Sequence, residues 1–346
     1  MILPVASFAR DVGYGGQQLQ SATKGLRVER IRVGLEERQV AIYLGAILIG
    51  AVAGFSVPAV NALEAGVNPA LAFMLFVTFL QVPLGEFGVA LRNVRFLGAL
   101  LVTNFVVMPL LTAILVQFLP DDPMLRLAVL LVLLTPCVDY VVTFTHLGRG
   151  DAKMLLAATP ALLLLQMVLL PVYLRVLLGT DASSLVRLEP FIYAFLWLIV
   201  GPLLLAAVVQ FGAVRAMNGE QVLAALGLLP VPATGFVLFL VLAGVIPRVG
   251  EAAGAALTAA PIYLVYAAVA PVLGWFIARA SRLAVGGARA VAFSAATRNS
   301  LVILPLAFAI PGGSPLVPAV VVTQTLIELI SELVYVRWIS RLPFRP

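Results

Sequence analysis

The chain has one cysteine and one histidine among its 346 residues, and only 11% of them are charged. A single cysteine excludes an intrachain disulfide and any multi-cysteine metal site. No His-Glu-x-x-His pattern, no serine with a histidine base at membrane depth and no paired aspartates in a Gly-Asp context are present, which argues against an intramembrane enzyme. A Gly-rich nucleotide-binding loop is also missing, so ATP-driven work by this chain alone is not expected. No cofactor or resident metal is implied. The shortage of charge goes with 62% hydrophobic residues and a mean hydropathy of +1.10. Soluble domains carry about a quarter charged residues, so this composition belongs in a bilayer.

A bilayer span needs roughly 20 mostly apolar residues. Ten such stretches are predicted, at 39–57, 69–84, 96–118, 126–146, 152–178, 190–214, 221–245, 254–278, 286–310 and 316–339. Residues 1–38 precede them as a tail. It lacks the basic, apolar and small-residue regions of a signal peptide. Val28, Ile31 and Leu35 recur there among Arg and Glu, which suits either a helix lying on the membrane surface or a mobile basic tail. Of the 22 Lys and Arg residues, only Arg126, Arg175, Arg187 and Arg248 fall on one side, and Arg298 falls inside a span. The rest share the other side with both termini, which the positive-inside rule makes cytoplasmic. A multi-pass protein of the inner (plasma) membrane is expected. The net charge of +6 is then explained by topology and anionic lipid, without a nucleic-acid partner.

Two spans are interrupted by polar residues at matching places: Thr135-Pro136-Cys137-Val138-Asp139 in the fourth and Thr297-Arg298-Asn299-Ser300 in the ninth. Non-helical backbone at membrane depth is tolerated only where protein or a water-filled cavity covers it, and paired breaks in repeated halves point to a transport site. The predicted fold is all-α, with five-helix repeats at 39–178 and 190–340, a connection at 179–189 on the outer side and a short tail at 341–346. Five being odd, the second repeat inserts inverted, and the broken fourth and ninth helices cross.

Each polar residue inside a span needs a reason. Thr135, Asp139, Thr143 and His146 would share one face of a continuous helix. Asp139 is either a proton- or cation-binding carboxylate or a structural partner of Arg298. Arg298 could hold an anion, stand where another transporter binds a cation, or neutralise Asp139 or Glu328. Gln324, Glu328 and Glu332 form an acidic face on the tenth span; Glu328 is the functional candidate, and Glu332 is expected to pair locally with Arg337. Asn104, Gln81 and Gln166 are lone amides, each suited to an interhelical hydrogen bond or a substrate contact. Cys137 follows Pro136 at the break, and a soft thiolate suits a metalloid centre.

The run Leu134-Thr135-Pro136-Cys137-Val138-Asp139, continuing to Leu147-Gly148-Arg149-Gly150-Asp151, resembles the Pro-Cys fourth span and the following loop of the arsenite permeases of arsenical resistance. These belong to the bile acid:sodium symporter superfamily, whose ten-span inverted-repeat fold has broken, crossing fourth and ninth helices. The resemblance implies that Cys137 is a key residue of the transport site. That family's ninth span carries Asn followed two residues later by Glu. Asn299 matches, but Leu301 stands where the carboxylate would be. Sodium-coupled relatives use a carboxylate and amides there, whereas this chain offers Ser294 and Arg298, and an arginine would repel Na+.

The expected function is therefore proton-coupled antiport of arsenite or antimonite by alternating access. Thr135, Cys137, Arg298, Asn299 and Ser300 would bind substrate, and Asp139 or Glu328 would replace the missing carboxylate in ion coupling. The alternative is an organic-anion carrier with Arg298 holding the anion. A channel is the remaining class, and saturation of flux separates it from both carriers.

Overall fold

The computed structural model describes residues 16–56, 61–81, 93–138, 140–183, 196–216, 219–245, 249–310, 312–313 and 315–342. The fold is all-helical, with 86% helix and no strand among the described residues. In chain order the helices are α1 Gly16–Ser56, α2 Asn61–Phe79, α3 Val94–Val102, α4 Met108–Val116, α5 Pro123–Leu133, α6 Val141–Leu147 and α7 Ala152–Ser183. They continue as α8 Gly201–Arg215, α9 Gly219–Leu226, α10 Pro230–Val245, α11 Val249–Ala280, α12 Val285–Ala296, α13 Ser300–Ala309 and α14 Leu316–Ile339. Wider π turns at Thr103–Val107 and Leu196–Val200 join α3 to α4 and lead into α8.

Six stretches are long and apolar enough to cross a membrane: Arg27–Ser56, Val94–Val116, Ala152–Gly179, Gly219–Gly244, Ala252–Ala280 and Leu316–Ile339. Shorter apolar helices lie at Gly66–Phe79, Pro123–Leu133 and Gly201–Arg215. The fourth and ninth predicted spans are absent from the long set because each is cut into two half-helices, α5 with α6 and α12 with α13. Polar and apolar surfaces are arranged for lipid. On α7, Leu164, Val168, Val172 and Val176 recur every fourth residue and are exposed, while Thr159 and Gln166 on the same helix are buried. Apolar side chains outside and hydrogen-bonding groups inside are what a hydrocarbon solvent requires.

Two groups of helices emerge. α10 packs along α1 and α2, and α8 adds to α2; separately, α11 packs on α12 and α14, α14 on α5 and α13, and α7 on α5 and α6. The stretch expected to lie on the membrane surface is continuous with the first span, because α1 runs unbroken from Gly16 to Ser56. No proline interrupts it, and Arg32 pairs with Glu36 one turn on, at 2.9 Å.

Prolines within helices leave a carbonyl four residues earlier without its N–H. Pro109 does this to Phe105, and the Tyr173 hydroxyl donates to that carbonyl at 2.5 Å. Pro271 does it to Ala267, and Tyr335 answers at 2.5 Å over the same separation of 68 residues. The same device therefore serves α4 with α7 and α11 with α14.

Glycine sets close helix approach at Gly50, where an added Cβ would lie 2.6 Å from Phe239 O of α10, and again at Gly274. A Cβ on Gly274 of α11 would lie 2.7 Å from the Ala295 Cβ and 3.0 Å from the Ala292 Cα of α12. Gly274→Leu should therefore cost about 1–3 kcal/mol by overpacking and lower the melting temperature of the protein in detergent. An unchanged melting profile would mean that the two helices do not meet there.

Candidate functional site at the paired helix breaks

Each break begins with a threonine that serves the end of the preceding helix. Thr135 Oγ1 donates toward the carbonyls of Leu131 and Val132, both at 3.0 Å, and Thr297 Oγ1 donates to Phe293 O at 2.7 Å. The offset relating Phe105 to Ala267 also relates Thr135 to Thr297. Beyond these threonines the backbone is extended, and its groups find partners in the other break. Pro136 and Arg298 form an antiparallel bridge, Cys137 N donates to Thr297 O at 3.2 Å, and Asn299 N donates to Thr135 O at 2.9 Å. The interruptions thus satisfy each other in the interior of the protein, as unwound backbone at membrane depth must.

The C-terminal ends of α5 and α12 converge on this crossing, and helix C-termini carry partial negative charge. Arg298, fully buried, answers them. Its Nη2 donates to Ser294 O at 2.5 Å, Ala295 O at 2.9 Å and Asn104 Oδ1 at 2.8 Å, and Nη1 donates to Leu133 O at 3.5 Å. The guanidinium also lies over the Tyr266 ring, 5.6 Å from its centroid. Asn104 sits in the π turn, where its Nδ2 donates to Leu100 O and to Ser294 Oγ. It is therefore an interhelical clamp on Arg298.

Glu328 does not pair with the guanidinium. Its carboxylate accepts from Arg298 N at 2.7 Å, from Gln324 Nε2 and from Tyr140 Oη, both at 2.5 Å, so it touches both breaks. Gln166 stands at the matching offset in the first half. There Pro136 replaces Arg298 and has no N–H to give, and the buried Gln166 amide makes no hydrogen bond. Asn299 Oδ1 caps α13 by accepting from Val302 N at 3.4 Å, leaving Nδ2 unbonded. Ser300 Oγ accepts from Thr325 Oγ1 at 2.9 Å. Cys137 is fully buried at the bridge. Thr135, Cys137, Arg298, Asn299 and Ser300 are thus brought together with Glu328, while Asp139 lies outside the described residues.

Several expectations shift. Glu332 does not pair with Arg337: it is fully buried, and its Oε1 lies 2.5 Å from Thr297 Oγ1. Five residues along a helix turn through about 140°, so Arg337 projects from another side of α14. The continuous polar stripe from Thr135 to His146 does not form, because helix stops at Leu133 and resumes at Val141. His146 is exposed. Asn104, offered as an interhelical hydrogen bond or a substrate contact, makes the hydrogen bond; Tyr140, Tyr266 and Glu332 join the site without having been singled out for it, and only the four-residue step from Glu328 marked Glu332 in the sequence.

Tyr140 also lines a small cavity of about 50 Å3 between α1, the end of α2, α6 and the start of α10, with Arg32, Gln39, Gln81, Thr143 and Thr234 among its walls. Gln39 is buried there, with its Nε2 making no hydrogen bond. A single tyrosine thus joins an opening in the protein to the carboxylate at the crossing.

Two mutually paired helix breaks with charged groups at their crossing, in a multi-pass helical membrane protein, are the arrangement around which secondary transporters build their sites. The family model described as the Sodium Bile acid symporter family matches residues 68–251. That is more than half the chain, and the chain belongs to this family. Its members are transporters rather than enzymes, which implies a small-molecule substrate and a lipid surround. The match includes the first break and ends before the second. No curated protein matches the chain.

Proposed function

We propose that this protein is a proton-coupled antiporter of arsenite or antimonite in the inner (plasma) membrane, with both termini cytoplasmic. Its ten spans would form two inverted five-helix repeats at 39–178 and 190–340. The observation that carries this reading is the pairing of the Pro136-Cys137 break with the Arg298-Asn299 break, which sets the chain's one thiol among polar groups at the centre of the protein. The recurrence of the Thr and Tyr devices at one offset supports the repeat. The two helix groups supply the moving parts of alternating access, one built on α1, α2, α8 and α10 and the other on the broken helices.

Arsenite is largely the neutral trihydroxide at neutral pH, so substrate would be held by the Cys137 sulfur and by hydrogen bonds from Thr135, Asn299 and Ser300. A single sulfur contact is reversible, as a carrier needs. Arg298 supplies fixed positive charge where helix carbonyls converge, which removes the need for Na+. Glu328, hydrogen-bonded to both breaks, and Asp139 are the coupling carboxylates. In the alternative, organic-anion reading, Arg298 would hold the anion, but its Nη2 already serves three acceptors.

Replacing Na+ by K+ should leave arsenite transport in proteoliposomes unchanged, and antimonite should compete while organic carboxylates do not. A requirement for Na+, or inhibition by carboxylates alone, would favour the anion carrier.

A further inference from the structure

We infer that Glu332 is a buried proton-carrying carboxyl, protonated in this conformation, while Glu328 is the ionised counter-charge of Arg298. The inference follows from counting hydrogens. Thr297 has one hydroxyl hydrogen, yet its Oγ1 makes two short oxygen contacts, with Phe293 O at 2.7 Å and with Glu332 Oε1 at 2.5 Å. A carbonyl has no hydrogen to give, and an ionised carboxylate has none either. With Glu332 ionised, one of these contacts would be two acceptors pressed together. With a proton on Glu332, the carboxyl donates to Thr297 and Thr297 donates to Phe293 O. Thr135, at the corresponding place in the first break, shares its one hydrogen between the Leu131 and Val132 carbonyls, and both contacts are correspondingly longer, at 3.0 Å.

Among the described residues, no other group supplies the missing hydrogen. On α14 itself, Tyr335 donates to Ala267 O. On α11, Tyr266 donates to Ala295 O, and the Tyr263 hydroxyl makes no hydrogen bond. Arg298 directs Nη1 and Nη2 at Ser294, Ala295, Asn104 and Leu133, Arg289 of α12 donates from its Nη atoms to Arg149 O and Ser340 O, and the buried Nε of each makes no hydrogen bond, to Glu332 or to anything else described. Before α6, Tyr140 donates to Glu328. Glu332 Oε2 is buried with no partner at all. Glu328 is the opposite case, with donors from Tyr140, Arg298 N and Gln324 and one buried cation beside it to balance. A second buried anion one turn away would have no cation of its own among the described residues.

The role of this proton rests on the proton-coupled reading above; its location does not. Loss of the proton breaks the O–H bond, leaves the electron pair on Glu332 and turns Thr297 toward the new carboxylate. That withdraws the Thr297 hydrogen bond from the end of α12, so the charge on Glu332 and the geometry of the second break change together.

Infrared difference spectroscopy of purified protein at neutral pH, wild type minus Glu332→Gln, tests the location without a substrate. A protonated-carboxyl C=O band present in wild type and lost in the variant is expected. Ionised-carboxylate bands in its place would overturn the inference. Should Glu332→Gln not fold, Glu332→Asp serves: the C=O band should shift in frequency, and an unmoved band would overturn the assignment. In proteoliposomes carrying arsenite, Glu332→Gln should reduce accumulation driven by a proton gradient at least tenfold. Wild type that moves no arsenite but shows the infrared band would refute the substrate reading and leave the proton on Glu332.

Discussion

Arg298→Ala should yield little folded protein. The change removes the donors that serve Ser294 O, Ala295 O, Leu133 O and Asn104 Oδ1, and it leaves Glu328 without a buried cation. Breaking a buried charge arrangement from one side costs about 3–5 kcal/mol, a large part of the stability of a typical domain. Arg298→Lys should be only a partial rescue, because a compact ammonium restores the charge but cannot spread its donors over acceptors from three helices. The double variant Arg298→Met with Glu328→Gln should melt well above Arg298→Ala, since it removes the charge from both sides. Melting temperatures in detergent check this, with Arg298→Met and Glu328→Gln alone completing the cycle, and losses in the double that equal the sum of these two would show that the residues are independent.

Glu328→Gln is the second large effect, and it falls on transport more than on folding. A glutamine keeps one acceptor oxygen but turns an NH2 group toward one of the three donors, costing about 1.5–3 kcal/mol for a charged hydrogen bond lost. The protein should still insert. Proton-driven arsenite accumulation should drop tenfold or more, because Glu328 is, among the described residues, the carboxylate bonded to both breaks and, through Tyr140, to the cavity. Asp139→Asn belongs in the same assay. Wild-type transport by both variants, correctly inserted, would remove the proposed coupling role of these carboxylates.

The positions of the two breaks were legible in the chain because lipid makes polar residues and Pro136 conspicuous against apolar runs. Their mutual pairing was legible only through the repeat. What could not be read were contacts between residues far apart in sequence. Asn104 meets Arg298 across 194 positions, and nothing local distinguishes it from Gln166, an amide of similar setting that meets no partner. Glu332 was assigned to Arg337 by nearness along the chain, although helical geometry separates them. The unbroken α1 was obscured because an amphipathic basic stretch has the same pattern whether it lies flat or extends a span. The Pro109–Tyr173 and Pro271–Tyr335 devices were in the sequence as a repeated spacing, but their meaning depends on carbonyls that only a folded helix presents.

Arsenite accumulation in everted membrane vesicles from cells lacking their own efflux systems tests the central claim most directly. Wild type and Cys137→Ser would be compared under an imposed proton gradient. Accumulation by wild type that collapses with the gradient, and is lost in Cys137→Ser at equal protein levels, is the predicted result. Equal accumulation by the two proteins, or none by well-expressed wild type, would contradict a metalloid exporter built on Cys137.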